Sequence, residues 1–354
     1  MRRLLASCTR SFEKLCKATV GDVRRLAKWL FYRSGGLRFL QRINRRSARI
    51  LVYHSVGSPR PDFFPGDAYL SAQAFASQMR YCRERYKPIS LSEFVARLRQ
   101  RRPLPDRAVI VTIDDGFKNS FTTAFPILAQ YQIPATIFPL TDWVFERRMC
   151  WLHRFYYLIK RVPIELMAEA LAAETRVALP HVSWQLHEKA NMEQIKDALK
   201  YKVANKHEIL DRLYTRLGVD TPVDIANELY LSADDIHVMS EHGVEVGSHG
   251  CSQSPMSALS ADEARWEVTK SKRILEDCIG RPVQAFAYPF GLARDLGNIR
   301  HLLEESGYQC ALTNRPGLAN EASDLYLLRR CDMAGQVGLW EEVLRVELSP
   351  WLRR

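Results

Sequence analysis

Short apolar runs alternate with amphipathic stretches along most of this chain. Five runs are rich in β-branched and aromatic side chains and have the length of buried strands: residues 50–53, 108–113, 135–138, 244–247 and 285–288. Stretches with helical periodicity lie among them, for example residues 75–85, 91–98 and 260–278. Buried strands that alternate with helices are typical of parallel sheets. The pattern therefore predicts an α/β fold.

Residues 150–232 interrupt this alternation. They contain few strand signals, but residues 163–173 and 192–217 have helical periodicity, as do residues 339–348 near the C-terminus. We therefore predict a mostly helical insertion between barrel strands. The predicted segments are 1–47, 48–149, 150–232, 233–335 and 336–354.

Helical periodicity also covers residues 22–32, where Asp22 is the expected N-cap and Gly35-Gly36 the expected end. One face of this helix is apolar and carries Val23, Leu26, Ala27 and Leu30. A basic amphipathic helix with Trp29 and Phe31 can lie on an anionic membrane surface. It can equally pack its apolar face against the rest of the protein. Periodicity does not distinguish the two interpretations.

Charge is distributed unevenly along the 354 residues, whose formal net charge is +11. Residues 1–50 contain 14 Lys or Arg and two acidic residues, so they carry +12 and the remaining 304 residues sum to −1. The near-neutral body and the absence of a recognisable nucleic-acid-binding motif argue against a nucleic-acid partner. Because the charge is concentrated in this segment, peripheral membrane contact through residues 1–46 is one of the two interpretations.

Eight cysteines are scattered without a C-x-x-C pair, which argues against a disulfide scaffold and a structural zinc site. A reduced cytoplasmic setting is the simplest interpretation. No uncharged stretch approaches the ~18 apolar residues of a membrane span. The basic N-terminus is not followed by an apolar run of signal-peptide length. We therefore expect an unprocessed, non-spanning protein.

The sharpest chemical feature is the sequence Thr112-Ile113-Asp114-Asp115-Gly116 at the end of a predicted strand. One of two adjacent carboxylates can bind a cation while the other accepts a proton from an activated water. Alone, the D-D-G triplet is a weak signal, because Asp and Gly are common in turns.

Two further motifs follow predicted strands. Gly247-Ser248-His249 places an imidazole there, and Tyr288-Pro289-Phe290-Gly291 forms an aromatic turn. Barrel enzymes place their sites just after the strands, and Asp with His suits a zinc-like cation with open positions. Each motif alone is equally compatible with a structural histidine or a packed turn.

Taken together, these motifs resemble the polysaccharide deacetylase family, also called the NodB-homology group or carbohydrate esterase family 4, in its exopolysaccharide-type form. The resemblance covers roughly residues 48–335 without the insertion. Six segments carry it in order: Leu51–His54, Thr112–Gly116, Pro134–Phe138, Val246–His249 with Pro255-Met256-Ser257, Ala287–Gly291 and Leu328–Arg330. The resemblance implies a distorted (β/α) barrel of about seven strands, with the helical insertion and a basic N-terminal helix.

The resemblance also implies roles for individual residues. Asp115 and His249 would bind one divalent metal, expected to be zinc, and Asp114 would be the general base. Tyr288 and Pro289 would help to hold the acyl group and the oxyanion. The reaction would remove an N-acyl group, expected to be acetyl, from an amino sugar.

Several positions depart from the family pattern. Gln253 stands where a second ligand His is usual, and an amide oxygen is a poorer zinc ligand than an imidazole. Ala287 replaces an Arg that often precedes the third motif, so Arg329 or Arg330 could supply that cation from another strand, and Arg330 is the candidate for contacting substrate. The family's late His has no counterpart, because the last His is His301. His54 is therefore the candidate for protonating the leaving amine.

Two functional hypotheses follow from these residues. The first is an active deacylase of a polysaccharide or lipid-linked glycan precursor, working in the cytoplasm or at the inner face of the cytoplasmic membrane. The second is a catalytically impaired relative that binds glycan or a protein partner, which Gln253 favours. The adjacent carboxylates Asp114 and Asp115 favour the enzyme, because binding alone does not require such a pair. The sequence makes no prediction of oligomeric state.

Overall fold

The structure is a computed structural model that describes residues 25–57, 61–63, 69–175, 188–222, 225–333 and 337–351. The first half of the predicted basic segment, with the expected N-cap Asp22, lies outside the described residues.

The described chain contains ten short strands. They are β1 Arg49–Tyr53, β2 Ser55–Val56, β3 Tyr69–Leu70, β4 Lys87–Pro88, β5 Ala108–Asp115, β6 Ala135–Pro139, β7 Glu245–Val246, β8 Ala285–Ala287, β9 Cys310–Leu312 and β10 Cys331–Asp332. The five strands predicted from apolar runs correspond to β1, β5, β6, β7 and β8. The other strands are two or three residues long, too short to show periodicity.

Helices occupy most of the remaining described chain. They are α1 25–33, α2 Gly36–Ile43, α3 Ala72–Arg85, α4 Leu91–Arg99, α5 Phe125–Tyr131, α6 Thr141–Val144, α7 Trp151–Ile159, α8 Ile164–Thr175, α9 Glu188–Lys202, α10 Lys206–Leu217, α11 Ala226–Leu229, α12 Ala233–Glu241, α13 Ala261–Ile279, α14 Arg300–Glu305 and α15 Leu339–Leu348. The predicted helix at 339–348 is confirmed to the residue.

Parallel pairing organises the strands as the pattern predicts. Six strands form one sheet in the order β10-β1-β5-β6-β7, with β4 beside the start of β5. A separate parallel pair joins β8 to β9. Isolated bridges link the two sheets, one from Ser248 to Phe286 and one from Leu312 to Leu328. The strands therefore curve toward a barrel that continuous ladders do not close.

Alternation along β5 divides the core between the two faces of the sheet. Val109, Val111 and Ile113 pack in a cluster that includes apolar residues of α3, α5, α12 and α13. Ala108 and Ile110 belong to a second cluster, which joins strands on opposite sides of the barrel. Side chains two apart on a strand share a face. This periodicity directs Asp114 toward the barrel interior, on the face of Ile110.

The predicted helical insertion forms a hydrophobic cluster of its own, built mainly from α7, α8, α9 and α10. The periodic stretch 192–217 is two helices and not one, because the chain leaves the helix at residues 203–205. Gly218 ends α10 in the left-handed conformation, with φ +63°. The break places residues 204–208 at an exposed corner beside the barrel.

The N-terminal helix α1 ends at residue 33, before the predicted Gly35-Gly36 stop, and the chain re-enters a helix at Gly36. The interpretation that α1 packs its apolar face on the protein is not what the structure shows. Leu26 and Leu30 are more than half exposed, and α1 touches the body through Arg25 with Glu341 and Tyr32 with Trp340. Within the described residues, no helix is long and apolar enough to cross a membrane.

Candidate active site

The predicted site residues come from neighbouring strand ends. Asp114 and Asp115 end β5, and His249 follows β7, with β6 between them. The backbone N–H of His249 donates to the carbonyl of Pro139, the last residue of β6, at 3.3 Å. Carboxyl ends of parallel strands meet at one edge, so the sheet topology brings together residues more than 130 positions apart.

The two aspartates point in different directions because the chain turns sharply between them. Asp115 has φ +73° and Gly116 has φ +90°. A Cβ at Gly116 would lie 3.2 Å from the Cα of Pro139, so the glycine allows β5 and β6 to approach closely. The left-handed conformation of Asp115 is uncommon for a non-glycine residue, and its carboxylate faces His249 and Gln253.

Asp114 is fully buried and forms a bidentate ion pair with Arg330. The Oδ1 atom accepts from Nη1 at 2.8 Å, and Oδ2 accepts from Nη2 at 2.6 Å. Burial alone raises the pKa of Asp114, but Arg330 and then His249 outweigh it, so the pKa is lowered. Asp114 is therefore held as a carboxylate at neutral pH, able to accept a proton.

Arg330 does not occupy the substrate-contact position predicted for it. Its guanidinium is 0% exposed and donates to protein atoms only among the described contacts: Asp114, Thr112 Oγ1, Asn314 Oδ1 and the Thr313 carbonyl. A fully desolvated guanidinium bound on all sides has no surface left for a ligand. Arg330 is instead a fixed cationic partner for Asp114, in a site where position 287 is an alanine.

Asp115, His249 and Gln253 form the second half of the site. The Oδ1 atom of Asp115 lies 3.4 Å from His249 Nε2 and 3.4 Å from Gln253 Nε2. All three residues are buried. The other ring nitrogen of His249, Nδ1, is 2.8 Å from the carbonyl of Ala287. The predicted convergence of these three residues is therefore present in the structure.

The arrangement of donors and acceptors in this cluster fits a divalent cation. A hydrogen bond from Nδ1 to Ala287 leaves the Nε2 atom of His249 as a potential ligand facing the Asp115 carboxylate. The Gln253 Oε1 atom is buried without a hydrogen-bond partner in the described part of the chain. The two ends of an amide are assigned by their surroundings, so either can turn toward Asp115. The carboxylate and the imidazole are among the ligands that zinc accepts, and the unsatisfied amide oxygen is a weaker one.

Without a metal, a proton on His249 can stabilise the same cluster. Burial lowers the pKa of His249, but Asp114 and Asp115 outweigh burial, and the net pKa is raised. A proton on Nε2 would then bridge His249 and Asp115. Within the described residues, no group of three His, Cys, Asp or Glu side chains is placed to hold a metal. A metal at this position would therefore depend on Gln253 or on ligands from substrate and water.

His54 follows β1 directly, on the strand next to β5. It is half-buried, and its charge is close enough to contribute to lowering the pKa of Asp114. The structure therefore places the imidazole in the neighbourhood of the carboxylate. Its predicted role in protonating an amine stays a prediction.

Tyr288 lies in the core and not in the cleft predicted for it. Its ring is 2% exposed and packs edge-on against Phe286, and its hydroxyl donates to the Tyr326 carbonyl at 3.3 Å. The backbone N–H of Tyr288 donates to the Leu312 carbonyl at 3.0 Å, so it is not free to bind an oxyanion. Strand alternation explains the difference, because Phe286 and Tyr288 share the face that packs on the helices. Pro289 is also buried.

The insertion contributes one wall of the site, which the sequence did not indicate. The Nε1–H of Trp151, the first residue of α7, donates to the Gln253 carbonyl at 3.1 Å. Its ring also lies 6.4 Å from that of Phe290 in the aromatic turn. Gln253 is held with φ +59° at this contact. No sequence motif marks Trp151, since an aromatic residue at the start of an amphipathic helix usually belongs to a core.

Comparison with known proteins agrees with this geometry. The family model described as polysaccharide deacetylase matches residues 101–311, more than half of the chain. The poly-β-1,6-N-acetyl-D-glucosamine N-deacetylase of Escherichia coli K12 is 39% identical over 72 residues, which cover 20% of this chain and 11% of that protein. The corresponding protein of Staphylococcus epidermidis is 30% identical over 109 residues, 28% of this chain and 37% of that one. The chain thus matches only a minor part of the length of these relatives.

Solved structures show the same fold at low sequence identity. The Streptococcus pyogenes deacetylase PplD, in complex with acetate, superposes with a TM-score of 0.56 and 17% identity, over 86% of this chain and 99% of that one. A polysaccharide deacetylase from Bacillus cereus gives 0.54 and 18%, over 86% and 69%. The predicted NodB-like barrel class is therefore confirmed, although the barrel is not closed.

The fold is a NodB-like (β/α) barrel in which an Asp-Asp-Gly strand end faces a histidine. The chain belongs to the polysaccharide deacetylase family.

Proposed function

We propose that this protein is a metal-dependent hydrolase that removes an N-acetyl group from an amino sugar of a polysaccharide or a lipid-linked glycan precursor. One observation carries the proposal. An ionised, buried Asp114 lies beside a cluster in which the Asp115 carboxylate faces an imidazole nitrogen of His249, and the Oε1 atom of Gln253 has no partner in the described part of the chain. Structural ion pairs need no such neighbouring cluster.

The residues divide the reaction between them. Arg330 keeps Asp114 deprotonated, and Asp114 accepts the proton of the attacking water. Asp115, His249 and Gln253 would hold the metal, which supplies Lewis-acid polarisation when bound. The hydrogen bond from Nδ1 of His249 to the Ala287 carbonyl orients the imidazole. His54 is our candidate for donating a proton to the departing amine.

The presence of Gln253 supports a second candidate function. Its weak ligand character suits a relative that has lost catalysis and binds glycan or a protein partner with the same cleft. The retained ion pair between Asp114 and Arg330 favours catalysis, because a binding cleft gains nothing from a buried carboxylate held ionised.

Acetate release from β-1,6-linked N-acetylglucosamine oligomers tests the enzyme. The chain is first stripped with a chelator and then titrated with Zn²⁺ or another divalent ion. We expect release to depend on metal in the native protein and to be lost in His249→Ala. Binding of the oligomer without acetate release at any metal concentration would favour the impaired relative.

We further propose that the exposed apolar side chains of α1 and α2 contact an anionic membrane at the cytoplasmic face. These side chains, the α1–α2 surface, are Leu26, Trp29, Leu30, Phe39 and Ile43. Basic residues surround them on the same helices: Arg25, Lys28, Arg33, Arg38 and Arg42. Apolar side chains amid positive charges match the requirements of an anionic lipid surface.

Sedimentation with phosphatidylglycerol vesicles tests this contact. The native protein should sediment, and the double substitution Leu26→Ser and Leu30→Ser should release it. Trp266→Ser is the matched control, since Trp266 is equally exposed but lies on α13. Equal sedimentation of the double variant and the native protein would contradict the proposal.

A further inference from the structure

A cavity of about 300 Å³ lies where the insertion meets the loop after β7. Arg148, Lys206 and His207 line it on one side, and Ser252 and Ser254 line it on the other. These serines flank Gln253, and Trp151 also lines the cavity. Because Trp151 donates to the Gln253 carbonyl, the cavity and the candidate metal cluster share a wall. We call it the insertion cavity.

Lys206 is the unusual residue of this cavity. Its side chain is 7% exposed, yet its ammonium has no hydrogen bond or ion pair within the described part of the chain. Glu267 and Glu263 act on it only at longer range, and burial lowers its pKa. The ammonium opens onto the cavity, where solvent or an anion can satisfy it.

The other groups of the cavity also favour an anion. The guanidinium of Arg148 is exposed and has no described partner. Burial and the charges of Arg148 and Arg154 lower the pKa of His207 to about 3, so its imidazole is neutral. The acidic lining residue, Glu208, is 3.5 Å from Arg212 and accepts from Asn205.

The start of α10 adds to this environment. Lys206 is the first residue of a 12-residue helix, and the preceding Asn205 makes no side-chain cap. Uncapped N–H groups and the positive end of the helix dipole attract an anion. Combined with Lys206, they make a site whose lining carries two cations, Arg148 and Lys206, and one carboxylate, Glu208, which lies 3.5 Å from Arg212.

We infer that the insertion cavity binds an anionic group of the glycan substrate, a phosphate or a carboxylate, next to the sugar that is deacetylated. The inference rests on the proposed function, because the shared Trp151–Gln253 wall places the anion beside the reacting sugar. A phosphate would come from a lipid-linked precursor, and a carboxylate would come from a uronic acid in a polymer.

Thermal shift measurements test the cavity independently of catalysis, because a ligand that binds the folded state raises Tm. Inorganic pyrophosphate and glucuronate are titrated separately against the native protein, Lys206→Met and Arg148→Met. We expect one of the anions to raise the Tm of the native protein and to bind each variant about tenfold or more weakly. Lys202→Met, an exposed lysine at the end of α9, should bind like the native protein.

The anion that binds identifies the source of the group. Protection by pyrophosphate alone indicates a phosphorylated carrier, and protection by glucuronate alone indicates an acidic polymer. Equal protection of the native protein and Lys206→Met, or protection by neither anion, would overturn the inference.

Activity separates this inference from the proposed function. Lys206→Met should lower kcat/KM about tenfold for an N-acetylglucosamine oligomer carrying the effective anionic group, and leave a neutral oligomer unaffected. If the neutral oligomer is deacetylated while no anion binds, the proposed function stands and the cavity assignment fails. If anions bind through Lys206 but no oligomer is deacetylated, the cavity assignment stands and the enzyme assignment fails.

Discussion

Asp114 and Asp115 are neighbours in the chain but occupy opposite electrostatic environments. Asp114 lies in the barrel interior, where Arg330 satisfies both of its carboxylate oxygens. Asp115 faces an imidazole and an amide at 3.4 Å, and the Gln253 Oε1 atom beside it has no described partner. The protein therefore completes one half of the site by itself. The other half requires a proton or a metal.

This contrast explains how one D-D-G motif supplies two chemical roles. The two carboxylates have different partners: Arg330 pairs with Asp114, while His249 and Gln253 face Asp115. The half that must accept a proton is held ionised by a fixed arginine. The half that we propose to bind an ion is left with one unsatisfied acceptor, the Oε1 atom of Gln253. The predictions below change one half at a time.

The largest effect is expected from Asp114→Asn. An amide cannot accept the proton of the attacking water, so we expect kcat to fall by about 10²–10⁴-fold. Metal binding should be retained, because Asp114 is not in the Asp115 cluster. Acetate release and Zn²⁺ titration measure the two effects separately. Native-like kcat in the variant would exclude Asp114 as the base.

Arg330→Met should damage both stability and the pH profile. Removing one partner of a buried ion pair destabilises a protein by about 3–5 kcal/mol. The pKa of Asp114, now lowered by Arg330, should rise in the variant, and the acidic limb of kcat/KM should move to higher pH. Urea denaturation and a pH–rate profile measure these changes.

The pH dependence of stability provides the check on Arg330. A carboxylate whose folded pKa is depressed contributes stability above its unfolded pKa of ~3.9 and loses it as pH falls through the folded value. The difference in unfolding free energy between the native protein and Arg330→Met should therefore shrink below about pH 4. Arg329→Met is the control, because Arg329 is exposed and makes no contact with Asp114. A constant difference across this range would rule out the ion pair as its cause.

Gln253→His changes the other half of the site. An imidazole is a better zinc ligand than an amide oxygen, so we expect the affinity for Zn²⁺ to rise by about tenfold or more. Position 253 has φ +59°, which histidine adopts more readily than most residues. Gln253→Met, which removes the ligand oxygen, should weaken binding. Identical affinities in calorimetric titrations of the three proteins would show that residue 253 does not face the metal.

The smallest effect concerns Asp142, a nearby carboxylate with neither a paired arginine nor a cation cluster. The backbone N–H of Asp142 donates to the carbonyl of Cys251, and its Oδ1 atom has no partner in the described part of the chain. Burial is the largest cause that raises the pKa of Asp142 to about 6, and the charges of Glu146 and Glu267 add to it. Stability from such a group is present below pH ~4 and lost as pH rises through 6. Asp142→Asn should thus add roughly 1–3 kcal/mol at pH 7 and nothing near pH 4.

Thermal or urea unfolding at the two pH values tests this effect. The contrast with Asp114 is informative, because the two carboxylates differ in having a partner and not in being buried. A gain in stability for Asp142→Asn that is equal at both pH values would contradict the assigned pKa.

Much of the fold follows from periodicity. The long strand β5 and the helices α3, α13 and α15 have strong patterns, so their positions were predicted closely. The strands β2, β3, β4, β9 and β10, each of two or three residues, were missed, because their pairing depends on neighbours and not on their own sequence. The break at residues 203–205 was also missed, since both helices that flank it share a helical period.

The candidate site divides in the same way. Asp114, Asp115 and His249 were predicted because they follow strand ends within motifs, and Gln253 because the family resemblance expects a ligand His at its position. Tyr288 was predicted in the cleft but lies in the core, since the face of a short strand depends on register. Arg330 was predicted near substrate, yet its burial and its pairing with Asp114 depend on how β10 docks beside β1.

The local sequence determines the parallel α/β class, the insertion and the residue types that carry the chemistry. Burial and turn formation require particular residue types at regular spacings, and these spacings can be recognised in neighbouring residues. Three features depend on contacts between distant segments: the pairing of Asp114 with Arg330, the burial of Tyr288 and the placement of Lys206 in one cavity with Ser252 and Ser254. No local pattern encodes these contacts, because each residue is compatible with its own strand or helix whichever distant residue it later contacts.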